Sequence, residues 1–103
     1  MPVDKVKLEL LRSCPAKVVL AAIAEHAKLD ASFKPLRNSE STRWHASIRG
    51  KDFELVLTGS KFWDTRAEIG GGGAVDLTMH LTGLSFRMAI NELDRVLGKA
   101  ADH

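Results

Sequence analysis

Four consecutive glycines, Gly70-Gly71-Gly72-Gly73, run directly into Ala74-Val75-Asp76-Leu77 and an apolar pattern that continues to Leu97. Glycine reaches positive φ freely and lets another surface approach the backbone closely, so the run reads as a structural hinge from an extended element into a helix. Val75, Leu77, Met79 and Leu81 carry a first helix over 74–82, which Gly83 ends. Phe86, Met88, Ala89, Ile90, Leu93, Val96 and Leu97 carry a second over 85–98, with Ser85 as its N-cap. A phosphate-cradling role for the glycines lacks its partners. A dinucleotide site needs a parallel βαβ unit and a triphosphate loop needs a following Lys-Ser/Thr, whereas Ala74-Val75-Asp76 follows here.

Upstream, Arg43–Arg49, Asp52–Thr58 and Lys61–Ala67 are separated by Gly50-Lys51 and Gly59-Ser60. Two-residue gaps containing glycine are hairpin signals, so 43–67 is expected to form an antiparallel three-stranded meander. Alternation puts Trp44, Ala46, Ile48, Phe53, Leu55, Leu57, Phe62 and Asp64 on one face. Arg43, His45, Ser47, Arg49, Asp52, Glu54, Val56, Thr58, Lys61, Trp63 and Thr65 fall on the other. Pro15 opens a helix over Ala16–Ala27, and 29–42 reads as a loop. Lys5–Leu10 alternates like a strand, yet Asp4 with Lys7–Leu11 could equally start a helix.

The order of these features, a β element closing on a glycine-rich turn, a helix containing Val-Asp-Leu, then Gly83-Leu84-Ser85-Phe86 opening a second helix, resembles the zinc-ribbon domain of bacterial-type DNA primases. The variants carried by mobile elements are the most similar. The resemblance implies an α+β fold in which a small antiparallel meander packs against N-terminal helices within 1–29 and against the C-terminal pair, all in one domain over 1–103. It also implies contact with single-stranded DNA. The family holds zinc with three cysteines and a histidine; here those regions read Phe33–Asn38 and Trp63–Glu68 and contain no cysteine. A closed zinc site needs four thiolate or imidazole ligands, and Cys14, His26, His45, His80 and His103 are scattered. No zinc or other cofactor is therefore expected, although structural zinc can contribute about 10 kcal/mol or more to folding.

A chain of 103 residues with 45% hydrophobic content can bury a core without that staple. One cysteine excludes an intramolecular disulfide, and the absence of a long apolar run or leader pattern makes a cytoplasmic protein without membrane association the expectation. The carboxylates and histidines form no catalytic constellation, so no enzyme activity is expected.

A net charge of +2 permits an anionic partner without demanding one. Lys34, Arg37, Arg43, Arg49, Lys51, Lys61 and Arg66 are the candidate phosphate contacts, and Trp63 is the candidate base-stacking residue. The competing interpretation is that these charges, interleaved with Glu40, Asp52, Glu54 and Asp64, only solvate a half-buried sheet. Two roles follow: an accessory module that holds single-stranded DNA for a separate primase or polymerase, or a subunit that docks on a replicative polymerase, primase or helicase. Exposed apolar residues such as Val56, Met79 or Leu84 would favour the second.

Overall fold

A computed structural model describes residues 13–35 and 40–101. The N-terminal helix-or-strand question, Arg37 and His103 lie outside the described residues. The fold is α+β. Among the described residues the elements are helix α1 (Ala16–Ile23), strands β1 (His26–Leu29), β2 (Thr42–Ile48), β3 (Lys51–Thr58), β4 (Lys61–Asp64) and β5 (Ile69–Gly72), then helices α2 (Ala74–Thr82) and α3 (Phe86–Ala101). All five strands form one antiparallel sheet in sequential order.

The expected meander is thus extended by a strand on each side. On one side α1 stops at Ile23 instead of continuing to Ala27, because Ala24 turns extended and His26–Leu29 pair with Ser47–Trp44. Ladder hydrogen bonds with β2 override the helical preference of the alanines. On the other side the glycine run is corrected from a hinge to an edge strand. Gly70, Gly71 and Gly72 lie in β5, opposite Trp63, Phe62 and Lys61. Among the four, positive φ is confined to Gly73, at 95°.

The glycines serve close approach. A Cβ on Gly71 would sit 2.9 Å from Cε1 of buried Phe62, and one on Gly70 would sit 2.7 Å from Cε3 of Trp63. Phe62 and Trp63 therefore pack on opposite sides of β5, each against bare backbone, as aromatic residues do when they cover glycines on a neighbouring strand. At Gly72 a Cβ would meet nothing nearer than 3.8 Å.

Among the described residues three helices lie on one face of the sheet, and the shared core contains Val19 and Leu20 from α1, Ile48, Leu55, Leu57 and Phe62 from the sheet, Leu77 and Leu81 from α2, and Ala89, Ile90 and Leu93 from α3. The inner face matches the alternation read from the sequence. Helix ends follow local chemistry. The Ala16 amide donates to the Gly59 carbonyl at 2.8 Å and the Gly73 amide to the Ser60 carbonyl at 2.8 Å, tying the starts of α1 and α2 to the β3–β4 turn. Gly83 ends α2 in the left-handed region, and the Ser85 hydroxyl accepts the Met88 amide at 3.3 Å to start α3.

Gly71→Val should therefore lower stability by about 1–3 kcal/mol through overpacking against Phe62, while Gly72→Ala leaves the melting temperature unchanged or slightly higher. Equal effects in thermal denaturation would contradict the seating of the aromatics.

Candidate functional site

Asp64 occupies an inner-face position that alternation would fill with an apolar side chain, and it is 3% exposed. A buried carboxylate needs hydrogen-bond donors, and three converge on it. Its Oδ1 accepts the amides of Arg66 and Ala67, each at 3.0 Å, which closes the tight turn between β4 and β5. Its Oδ2 accepts from Nε2 of His80 on α2 at 2.6 Å. The Asp64 carbonyl takes the Glu68 amide at 2.8 Å, and Glu68 has φ of 56°. The His80 imidazole is flanked by Phe53 and Phe62, with centroids at 5.8 and 5.3 Å. Burial pushes the Asp64 carboxyl up, but the Ala67 amide, the His80 imidazole and the Arg66 amide outweigh it and hold the group below the usual carboxylate range.

This clamp was not among the residues singled out in the sequence. The signal for it was present, since Asp64 shares the Phe62 face and an acid there requires a partner. Pairing with β3 turns Phe62 inward and Trp63 outward, and the turn closed by the clamp sets the β4–β5 register that places Gly71 and Gly70 opposite them.

Trp63 is 47% exposed on the face opposite the helices. Its indole rests on Gly70, with Val56 beside it across β3. Lys61 precedes it on the same face, Lys28 projects from β1, Lys34 stands in the loop after β1, and Arg66 stands in the β4–β5 turn. All four are exposed and without an ion-pair partner among the described residues.

Other predicted cations are engaged or elsewhere. Arg43 donates from Nε and Nη2 to Asp30 Oδ2 at 2.8 and 2.6 Å, and its guanidinium lies 5.1 Å above the Phe33 ring. The Ser32 hydroxyl, the Arg43 guanidinium and the Ser32 amide hold the Asp30 carboxyl far below its ordinary range. Arg43 therefore pins the loop after β1 and its charge is already matched. Lys51 pairs with inward-facing Ile48, and Arg49 sits in the β2–β3 turn near enough to help depress Glu92 on α3 after the larger effect of Arg95. These two stand at the helix-side end of the hairpin, apart from Trp63. Val56, Met79 and Leu84 are all half-buried, and Met79 and Leu84 pack against the core.

Among the described residues no group of three His, Cys, Asp or Glu side chains is placed to hold a metal, and no helix is long and apolar enough to cross a membrane. Comparison with known proteins adds one likeness. The chain is 42% identical over 52 residues to a "65 kDa protein" of Zymomonas mobilis, a stretch that is 50% of this chain and 9% of that protein. No protein-family model and no solved structure matches.

The Asp64 carboxyl is depressed in the folded chain, so its contribution to stability is present above the unfolded value near pH 4 and is lost as pH falls through the lower folded value. Asp64→Ala should cost about 3 kcal/mol at neutral pH, because two turn amides and His80 lose their acceptor. Asp64→Asn should flatten part of the acid limb of a melting-temperature profile, with the part due to Asp30 and Glu92 remaining. An unchanged profile would contradict the clamp.

Proposed function

We propose that the face opposite the helices binds single-stranded DNA, with Trp63 stacking on an unpaired base and Lys61, Arg66, Lys28 and Lys34 meeting the backbone. The observation that carries this reading is the Trp63 indole, seated on Gly70 and half exposed, with Lys61 two residues before it on the same face. An exposed tryptophan held in place contributes about 1–3 kcal/mol per stacked base. It does so without a conformational rearrangement, since the glycine floor already fixes the ring.

In this reading the protein is a non-catalytic replication accessory related to primase zinc ribbons, of the mobile-element kind, that holds template for a separate primase or polymerase. The glycine run, the Val-Asp-Leu helix and the Gly-Leu-Ser-Phe helix start support that relationship. The clamp of Asp64 and His80 lies at the end of the ribbon that corresponds to the family's second ligand pair, and it joins the sheet to α2. Docking on a polymerase, primase or helicase is the second reading, and the exposed edge strand β5 is the observation that favours it.

Fluorescence anisotropy with a labelled oligothymidylate at two salt concentrations tests the proposal. Lys61→Ala with Arg66→Ala should weaken binding and reduce the salt slope by about 0.7 per contact removed. Trp63→Leu should weaken binding with the slope nearly intact. Arg43→Ala should lower the melting temperature and leave the slope unchanged, since Asp30 already matches its charge. No anisotropy change at low salt would refute DNA binding.

A further inference from the structure

His45 stands on the sheet face opposite the helices with its side chain 46% exposed, and its strand partners are Lys28 on β1 and Glu54 on β3. Each ring nitrogen looks toward a carboxylate. Nε2 lies 3.4 Å from Asp30 Oδ2, and Nδ1 lies 3.9 Å from Glu54 Oε2. A neutral imidazole has one N–H and one lone pair, so it can donate toward only one of these acids, whereas the imidazolium donates toward both. The charged groups around it already have their own contacts. Asp30 is matched by Arg43, Glu54 Oε1 accepts the Thr65 hydroxyl at 2.9 Å, and Asp52 accepts the Ser47 hydroxyl at 2.7 Å. His26 lies across from Ser47, two residues further along β2.

We propose that His45 is a proton-dependent phosphate contact, made when its imidazole is charged, that tunes single-strand binding on this face. The inference rests on the DNA-binding reading above. Topology puts His45 on the route. A strand that touches Trp63 on β4 and Lys28 on β1 must cross β3 and β2, and Lys28 is paired with His45 itself. The other charges there cancel, since Arg43 offsets Asp30 and Lys28 is opposite in sign to Glu54. A neutral His45 therefore leaves the middle of the route without net charge. A protonated one gives it a positive charge and faces both carboxylates that would repel a phosphate. Asp30 stays ionised throughout, because Ser32 and Arg43 hold its carboxyl far below the ordinary range. Histidine is the side chain that ordinarily changes charge between about pH 5 and 8, so binding tightens as pH falls and His45 gains its proton. His80 bonds Asp64 on the helical side and is not on the route.

Fluorescence anisotropy with labelled oligothymidylate at about pH 6 and about pH 8, each at two salt concentrations, tests the inference, since the probe keeps a constant charge over that range while histidine does not. Wild type should bind several-fold more tightly at the lower pH, with a salt slope steeper by about 0.7. His45→Gln should lose both responses and stay at the weaker affinity. His45→Lys should hold the tighter affinity at both pH values, and His26→Gln should respond as wild type does. By reciprocity of binding and protonation, saturating oligothymidylate should move the His45 imidazole resonances toward their protonated positions at neutral pH. Equal binding at both pH values would overturn this inference and leave the DNA-binding reading standing, as would a pH response that survives His45→Gln. No binding at either pH would overturn both.

Discussion

The Asp64 carboxylate is the constraint on which the sheet's two surfaces depend. It is placed where the core would otherwise take an apolar side chain, and it holds that place only because two turn amides and one imidazole reach it. Those donors come from the β4–β5 turn and from α2, so one side chain joins the last hairpin to the helical layer. Moving β5 by one residue could set Ile69 in place of Gly70 opposite Trp63, and would break the turn that Asp64 closes. The buried acid thus acts as a register pin, a role in which a polar core group contributes specificity as well as stability.

From that pin the rest of the surface follows. With register fixed, the glycines of β5 stand opposite two large aromatics, and their missing side chains become seats for the rings. Phe62 completes the core between α2 and the sheet. Trp63 is held outward on a flat floor, and the loop after β1 is held over the same face by Arg43, Asp30 and Phe33. Among the described residues the charge left unmatched is carried by Lys61 and Arg66, close to Trp63 along the chain, and by Lys28 and Lys34 on the β1 side of the sheet, three strands from β4. The face is mixed in sign, since Glu54 and Asp52 interrupt it. That composition suits a single strand whose bases stack and whose phosphates meet a few cations, rather than a duplex that needs a continuous basic stripe.

Much of this architecture was legible in the sequence. Both hairpins of the central meander, the inner and outer residues of β2, β3 and β4, the helix break at Gly83 and the Ser85 cap follow from period, glycine placement and capping chemistry. The misread parts share one physical cause, which is that tertiary pairing overrides local preference. Ala27 and its neighbours favour a helix in isolation and become a strand because β2 offers an unpaired edge. Gly70–Gly72 look like a hinge because glycine disfavours strands, yet they form one because Phe62 and Trp63 need the space. The clamp of Asp64 and His80 joins residues from separate elements, and only the acid on the apolar face signalled it. Alternation put Arg43 and Arg49 on the face of Trp63; Arg43 does lie in its cross-strand row through Val56, but Asp30 matches its charge, and Arg49 turns away in the β2–β3 turn.

The central claim is that Trp63, seated on Gly70 by the register that Asp64 pins, and the cations of the outer face act as one binding face. A nuclear magnetic resonance titration of isotope-labelled protein with a short oligothymidylate at low salt tests it most directly. The account predicts shifts at the Trp63 indole N–H and at the amides of Val56, Lys61, Gly70 and Lys28, with Leu81, Ile90 and Leu93 in the helical layer unmoved. Shifts confined to the helices, or no shifts at all, would contradict it.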